Sequence, residues 1–320
     1  MKRTIVLLLC LLVQLLEAEE ILNEESLLEE DQYNRISSSR ELTLLLSSSP
    51  AAKLLFAQHF AFPFMEGSNP LTEDNNIAFS LTAEISPVSV NGLAEAVWTP
   101  IAFFQVVTGG RIGSGWNTNL FGKNAIGIGL NREKSDGTGR AEHSGAAFDG
   151  LLWKAQAGGV FQFDLAVFIP GDWTHVVART YHEINYMGYT AADPGESWYY
   201  ENDNGENING FCYYGNLFVG HQLPIILNTV GLLAEAELRL YNTPNRRFWG
   251  DELPHWTFSI LGNFSVTKKI NAVLITQFRT VRNYKGLNWE NQYYRNRSID
   301  RGKPLHFAFY QTVLALSYRL

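Results

Sequence analysis

The segment Leu314-Ala315-Leu316-Ser317-Tyr318-Arg319-Leu320 decides the fold. One side of this extended chain carries Leu314, Leu316, Tyr318 and Leu320, and the other side carries Ser317 and Arg319. Side chains alternate across a strand, so the segment predicts a strand with one apolar face. Upstream, Phe307 and Phe309 fall on the opposite, polar face. A β-bulge near residue 310 would swap the faces there.

The same alternation recurs from about residue 53 onward. In one example, Phe79, Leu81 and Ile85 share a face while Ser80, Thr82 and Glu84 share the other. The pattern predicts about ten strands, near residues 54–64, 77–98, 101–115, 151–169, 173–189, 210–223, 228–241, 255–267, 271–284 and 305–320. Twelve strands are the alternative, because Pro87 and Gly92 interrupt the second segment and residues 125–130 could add strand structure.

The connections and the strand lengths favour a membrane barrel over a soluble sandwich. Long polar connections are predicted at 65–76, 117–150, 190–209, 242–254 and 284–304, with short turns between them. Short turns at one end and long loops at the other are typical of outer-membrane barrels. Trp98, Trp153 and Trp256 lie near strand ends, where aromatic rings favour the interface between lipid and water.

The pattern Leu314-x-Leu316-x-Tyr318-x-Leu320 resembles the C-terminal signature of Gram-negative-type outer-membrane β-barrel proteins. Leu320 departs from the usual terminal Phe. The resemblance implies an all-β, antiparallel transmembrane barrel in the bacterial outer membrane, with short periplasmic turns and long extracellular loops. It also implies that these four residues guide insertion by the barrel-assembly machinery. The last strand is expected to close against the first strand near residues 60–64.

Three regions are predicted along the chain. Residues 1–18 are interpreted as a cleaved signal peptide, because Lys2 and Arg3 precede an apolar run that is too short for a membrane helix. Residues 19–52 are acidic and serine-rich, and are interpreted as a solvated periplasmic tail rather than a plug. Residues 53–320 are predicted to form the barrel.

Composition excludes several classes of function. The 320 residues are 46% hydrophobic and 18% charged, and the formal net charge is −7. This acidity argues against nucleic-acid binding, which needs a basic surface. After the signal peptide only Cys212 remains, so no internal disulfide can form. No cofactor and no metal site are expected.

The polar faces of the predicted strands collect charged residues of both signs. The residues expected to line the lumen are Glu84, Arg111, Lys154, Asp164, Arg179, Glu183, Glu235, Glu237, Arg239 and Arg279. Mixed signs do not indicate a strongly ion-selective ring. Two interpretations stay open: the charges pair across a closed, hydrated interior, or they line a narrow path for solutes.

The loop near residues 282–303 combines basic and aromatic residues. Trp289, Arg295, Arg297 and Arg301 are the candidate surface-binding residues. At an outer surface they would meet outer-membrane lipid, lipopolysaccharide or a small ligand. The alternative is a solvated loop without a ligand.

Three functions are compatible with this sequence. The first is a narrow channel or small-solute transporter, which is preferred because of how common that function is in this class of barrel. The second is a non-conducting surface barrel that binds a ligand or stabilises the envelope through its loops. The third is an outer-membrane hydrolase, for which His143 beside Ser144 and His182 beside Glu183 are the candidates. Adjacent residues on a strand point to opposite faces, so no catalytic residue is assigned.

Overall fold

The computed structural model describes residues 36–49, 51–120, 123–201, 203–241, 246–286 and 291–320. The predicted signal peptide and the first part of the predicted tail lie outside the described residues, and so does Trp289. Within the described part of the chain, no helix is both long and apolar enough to cross a membrane.

Long antiparallel strands dominate the chain. The twelve barrel strands are β1 (Ser37–Ser47), β2 (Ala51–Pro63), β3 (Asn76–Ser86), β4 (Ser89–Ile101), β5 (Phe104–Gly115), β10 (Leu152–Asp164), β11 (Val176–Tyr189), β14 (Gly210–Gln222), β15 (Leu227–Arg239), β16 (His255–Thr267), β17 (Ile270–Arg282) and β18 (Leu305–Arg319). The connections contain β6 (Thr118–Leu120), β7 (Lys123–Ala125), β8 (Ile128–Glu133), β9 (Ala141–Ser144), β12 (Ser197–Tyr200) and β13 (Asn207–Ile208). They also contain an α-helix, Arg246–Trp249, and the 3-10 helices Leu165–Val167 and Tyr294–Asn296.

The barrel is closed by the pairing of its last strand with its first. β18 pairs antiparallel with β1, from Glu41 opposite Arg319 to Ser47 opposite Val313. The expectation that the last strand closes near residues 60–64 is therefore wrong, since that segment belongs to β2. The predicted tail is corrected in the same way: residues 37–52 are part of the barrel, which begins at Ser37 rather than near residue 53.

The observed strand number is the predicted alternative of twelve. β1 adds one strand to the ten preferred from the sequence. The second additional strand arises because the predicted strand 77–98 is a hairpin, in which β3 ends at Ser86 and β4 begins at Ser89. Proline lacks the N–H that a sheet interior needs, and Pro87 accordingly lies in the turn.

The two ends of the barrel differ. The turn end carries the start of β1, the end of β18, the short connections 102–103, 223–226 and 268–269, and the longer connections 64–75 and 165–175. The loop end carries the short connections 48–50 and 87–88 and the long connections 116–151, 190–209, 240–254 and 283–304. The predicted long loop 65–76 therefore lies among the short turns, and not with the other long loops.

The outer surface of the barrel is apolar. Its exposed side chains include Leu42, Leu44, Leu54, Phe56, Phe79, Leu81, Ile112, Ile184, Leu217, Leu232, Phe258, Ile260, Leu274 and Leu316. Aromatic residues border this band: Trp153, Tyr186 and Trp256 near the loop end, and Trp98, Trp173 and Tyr318 near the turn end. A closed barrel leaves no strand edge unpaired, so this surface suits the hydrocarbon core of a bilayer.

The predicted bulge is present in the last strand. Gln277 of β17 pairs with Gln311, but Phe278 pairs with Phe309, so Tyr310 is an extra residue. Phe307 and Phe309 therefore face outward, where both are exposed. Leu314, Leu316 and Tyr318 share the outward face below the bulge, and Leu320 follows the strand at the turn end.

A charge on the outward face in the middle of a strand should destabilise the barrel. Leu232, which is 63% exposed, lies near the centre of β15. Leu232→Arg is expected to cost about 2–4 kcal/mol, because the guanidinium would be placed in hydrocarbon. Reversible unfolding in lipid measures this cost. Val266→Arg, near the end of β16, is the matched control and should cost about 0–1 kcal/mol; equal costs would contradict a membrane-spanning band.

Candidate functional site at the loop end of the lumen

The ten residues expected to line the lumen all lie on the inward face of their strands. They are Glu84 on β3, Arg111 on β5, Lys154 and Asp164 on β10, Arg179 and Glu183 on β11, Glu235, Glu237 and Arg239 on β15, and Arg279 on β17. Along these strands, the inward residues are more buried than the outward residues next to them. The period of two is what distributes these residues round the inner wall.

Side chains fill the two halves of the lumen unequally. On β11 and β14, the large residues Tyr181, Tyr214 and Phe218 are buried inside the barrel. On β3, β4, β5 and β10, several inward positions are small or polar and stay partly exposed, namely Ser80, Thr82, Glu95, Gly109, Gln156 and Gly158, whereas Val97, Val107 and Val160 are buried on the same face. The second half of the interior therefore carries small, polar, partly exposed positions beside buried valines.

Ion pairs and hydrogen bonds line the inner wall, both within a strand and between neighbouring strands. Lys154 Nζ lies 2.6 Å from Glu183 Oε1, and the Tyr181 hydroxyl donates to Glu183 Oε2 at 2.8 Å. The Tyr214 hydroxyl donates to Glu235 Oε1 at 2.5 Å. A buried carboxylate needs such partners, since removing it from water is costly.

Loop strands form a second sheet at the loop end. Its strand order is β13-β12-β8-β9, so it joins the connections 116–151 and 190–209. Its apolar side chains pack on the ends of β10 and β11, in a buried cluster of Ile128, Leu130, Leu152, Tyr189, Trp198 and Tyr200. This packing anchors residues 197–201 and 203–208, which we call the strap and which contain β12 and β13.

Glu201 of the strap enters a buried ion network on the barrel wall. Lys53 Nζ lies 2.5 Å from Glu84 Oε1 and 3.2 Å from Glu201 Oε2. Arg111 Nη2 lies 3.4 Å from Glu84 Oε2. The side chains of Glu84 and Glu201 are both 0% exposed. We call these four residues the Glu84 network; two cations and two carboxylates balance in it, as burial of charge requires.

Hydroxyl and amide groups complete the Glu84 network. Ser89 donates to Glu201, and Asn91 Nδ2 donates to Glu84 Oε1 at 2.8 Å. Burial raises the pKa of Tyr200 well above its ordinary value, so its hydroxyl stays protonated and donates to Asn91 Oδ1 at 2.5 Å. Glu201 holds a φ of 50°, a left-handed conformation that is unusual for a side chain of this size. These contacts hold it in that conformation.

A second buried network lies at the end of β15 and β17. Asp251 Oδ1 is 2.6 Å from Arg239 Nη1 and 3.2 Å from Arg282 Nη1. Glu206 Oε2 lies 3.2 Å from Arg282 Nη1, and Glu206 Oε1 lies 3.0 Å from Arg297 Nη1. We call these five residues the mouth arginine cluster. Loops contribute Glu206, Asp251 and Arg297, so the cluster ties the loops to the wall.

Tyrosines and the arginines set the charge state of the mouth arginine cluster. Burial raises the pKa of Tyr294 well above its ordinary value, and its hydroxyl donates to Asp251 Oδ1. Burial alone would raise the pKa of Asp251 too. The charges of Arg239 and Arg282 outweigh that effect and hold the pKa of Asp251 below its ordinary value. Asp251 is therefore ionised at neutral pH.

The strap joins two distant parts of the barrel wall. Its Glu201 pairs with Lys53 on β2, and its Glu206 pairs with Arg282 on β17 and lies 3.9 Å from Arg239 on β15. Strands β1, β18, β17 and β16 separate β2 from β15 round the ring. Gly205 allows the turn between the two carboxylates, because its φ is 67° and a Cβ would lie 2.3 Å from the Tyr199 ring.

The candidate surface-binding residues are not equivalent. Arg297 is buried in the mouth arginine cluster, so its expected place on the surface is wrong. Arg295 lies over the Trp249 ring at 5.9 Å, and Arg301 pairs with Glu252 at 2.5 Å at the surface. Trp289 lies outside the described residues. Arg297 is buried because Glu206 supplies an internal carboxylate for it, and the sequence alone does not indicate this pair.

The two histidines considered for hydrolysis lie in different places. His182 faces outward on β11, where its Nδ1 is 2.7 Å from the Tyr213 hydroxyl and its Nε2 is 3.1 Å from Thr180 Oγ1. Glu183 faces the lumen, so the strand separates the two side chains. His143 pairs with Asn131 in the register of β8 and β9, and its side chain is outside what the structure describes.

Several residues of the two networks have no counterpart among the sequence-based candidates. Lys53, Glu201, Glu206 and Asp251 belong to this group. The run Ser197–Tyr200 could have indicated that this loop packs on the barrel, since three aromatic residues in a polar loop favour burial. Two carboxylates of this acidic loop, Glu201 and Glu206, pair with lysine and arginine, whereas Asp203 accepts from Gly205 N–H and the Asn207 amide.

Comparisons with known proteins give a likeness in fold. No family model matches the chain, and no curated protein matches it. Among solved structures, it is similar to the NanC porin, with a TM-score of 0.40, 6% identity, and coverage of 88% of this chain and 100% of that one. It is similar to the β domain of the Bordetella autotransporter BrkA (TM-score 0.38, 10% identity, coverage 89% and 98%) and to outer membrane phospholipase A from Escherichia coli (TM-score 0.29, 10% identity, coverage 90% and 98%).

The chain is an outer-membrane β-barrel. The features that establish this class are its own: twelve antiparallel strands in a closed ring, an apolar outer band with aromatic borders, and long loops gathered at one end. The names of these neighbours indicate different activities. Their similarity to this chain is too low to indicate a ligand or a reaction.

Proposed function

We propose that this protein is a narrow channel or transporter for small polar solutes, closed at the loop end by the strap. The observation that carries the proposal is the position of Glu201. It binds Lys53 and Ser89 on β2 and β4, at the loop end of the half of the lumen that carries small, polar, partly exposed positions. A solute moving along that half would meet the Glu84 network, and the strap would have to move.

The inner wall suits uncharged or weakly charged polar solutes. Serine, threonine, glutamine and glycine lie there beside two partly exposed carboxylates, Glu95 and Asp164, and beside buried valines. The Gln156 amide donates to Glu95 Oε2 at 3.4 Å. Deeper in the wall Lys154 pairs with Glu183 and residues of both signs are present, so the wall presents no single-sign ring to an ion.

Loosening the strap should increase conductance. Glu201→Gln keeps the size of the side chain but removes its charge from Lys53. In planar lipid bilayers we expect rare, short openings for the unaltered protein, and an open population at least about tenfold higher for the variant, which corresponds to ~1.4 kcal/mol. The physical reason is that the closed form loses one buried ion pair.

Glu196→Gln is the matched control for this experiment. Glu196 lies in the same connection, but it pairs with Arg132 at 2.7 Å on the surface of the loops. This control should conduct like the unaltered protein. Identical conductance of the Glu201 and Glu196 variants would contradict the strap as a gate.

The alternative is a non-conducting surface barrel that acts through its loops. The observation that favours it is the filled half of the lumen, where Phe218 and Leu233 are buried. Absence of conductance in the unaltered protein and in Glu201→Gln, with both shown to be folded by heat-modifiable gel migration, would select this alternative. Lipopolysaccharide and the barrel-assembly machinery are proposed partners under either function.

A further inference from the structure

Arg282 has an unused face inside the mouth arginine cluster. Its side chain is 2% exposed. Its Nη1 donates both to Glu206 Oε2 and to Asp251 Oδ1, each at 3.2 Å. Its Nε and Nη2 form no hydrogen bond of good geometry among the described residues, although the Tyr284 hydroxyl lies close to the guanidinium. The guanidinium therefore satisfies its carboxylate partners through one nitrogen alone.

The unused atoms form one edge of a planar group. The Nε and Nη2 hydrogens of arginine point in the same direction and match two oxygens of a carboxylate or phosphate. A buried N–H without an acceptor costs about 1–3 kcal/mol, and more beside a charge. An acceptor on this edge would remove that cost, and two coplanar oxygens would remove it most completely.

The charge of the cluster also favours an anion. Arg239, Arg282 and Arg297 supply three positive charges, and Glu206 and Asp251 supply two negative charges, which leaves an excess of one positive charge. Arg246 adds a further guanidinium, which donates to the Arg239 carbonyl oxygen. An uncompensated charge is expensive away from water, so a bound anion would balance the charge of the cluster.

Other buried polar atoms near Arg282 are also without partners. Tyr241 and His255 both lie within the field of Arg239 and Arg282, and neither the Tyr241 hydroxyl nor His255 Nε2 has a hydrogen-bond partner in the described residues. Asp251 Oδ2 also has no hydrogen-bond partner among the described residues. A ligand with an anionic group and a hydroxyl could use both kinds of atom, and water could fill the remainder.

We propose that the mouth arginine cluster binds a small oxyanion, a carboxylate or a phosphate, on the Nε–Nη2 edge of Arg282. The unpartnered Tyr241 hydroxyl and His255 Nε2, in the field of the same arginines, are the candidates for additional contacts with it. The site adjoins Glu206, the end of the strap that is tied to β15 and β17. This binding goes beyond the proposed function, because it requires no conductance and is measured on the closed protein.

Titration of the purified full-length protein in detergent tests the site. Sodium phosphate and sodium acetate are compared with sodium chloride at matched ionic strength, by calorimetry and by the thermal transition. We expect saturable binding in the phosphate arm, the acetate arm or both, with a rise in the transition temperature; the arm that binds more tightly identifies the anion class. No saturable binding of either oxyanion would overturn the proposal.

Variants then locate the site. Arg282→Lys keeps the charge but loses the planar edge, and should weaken binding about tenfold or more. Arg301→Lys is the matched control, since Arg301 pairs with Glu252 at the surface, and its affinity should be unchanged. If Arg282→Lys does not fold, Tyr241→Phe serves instead, and a severalfold loss of affinity is expected. Unaltered affinity in the folded variant would overturn the proposal.

Discussion

Glu84→Ala is expected to destabilise the barrel by about 3–5 kcal/mol, because it removes the central carboxylate of a buried ion network. Lys53 Nζ and Arg111 Nη2 lie 2.5 and 3.4 Å from the Glu84 oxygens. Without Glu84, the two cations share Glu201 as the one carboxylate of the network. Urea unfolding of the protein refolded into phospholipid measures the change.

Two further variants separate charge from volume in this experiment. Glu84→Gln keeps the side-chain volume and an acceptor for Asn91, so it should cost less than Glu84→Ala. Glu73→Ala removes an exposed carboxylate in the connection 64–75, and should change stability by no more than about 0.5 kcal/mol. A loss of similar size for Glu73 and Glu84 would mean that the network does not stabilise the barrel.

The class of fold follows from alternation, and that part was predictable. Strands such as β3 and β16 alternate cleanly between lipid-facing and inward residues, since each face meets one environment. The terminal strand was predicted on the same basis. Its bulge was also predictable as an alternative, because Phe307 and Phe309 would otherwise have faced a polar interior.

The first strand could not be recognised in the same way. Leu44, Leu45 and Leu46 are consecutive, so the period of two disappears where it is needed. In the structure Leu44 and Leu46 face outward, and Leu45 is buried inside against the other inward residues. Serines flank this run on both sides and suggest a linker. The strand is specified by its partners β2 and β18, and not by its own pattern.

The wall of the site was predictable, but its closure was not. An inward face can be read from alternation, so Glu84, Lys154 and Arg239 were expected in the lumen. The loop residues that pair with them come from distant parts of the sequence, and they meet the wall only when the long loops fold over the loop end of the lumen. Glu206 meets Arg297, which lies 91 residues later, and no local pattern indicates such a pair. For the same reason Arg297 was expected at the surface.

Asp251→Asn is expected to cost about 3–5 kcal/mol at neutral pH, as the removal of one partner from a buried ion pair does. Asp251 is 0% exposed and accepts from Arg239, Arg282 and Tyr294 through one oxygen. Asparagine keeps the shape and the carbonyl oxygen but not the charge, so the two guanidinium groups would face each other with Glu206 as their remaining carboxylate. Urea unfolding in phospholipid gives the difference.

The pH dependence of unfolding gives this prediction a second measurement. The pKa of Asp251 is lowered from its ordinary value of 3.8, so its ion pairs contribute fully above that pH. Their contribution is lost as the pH falls through the lower native pKa. Asp251→Asn should therefore lose stability near pH 7 and show a weaker further loss in acid than the unaltered protein. Glu252→Gln is the matched control, because this neighbouring carboxylate pairs with Arg301 at the surface. If both variants lost the same stability and the same acid dependence, burial of Asp251 among the arginines would not explain either effect.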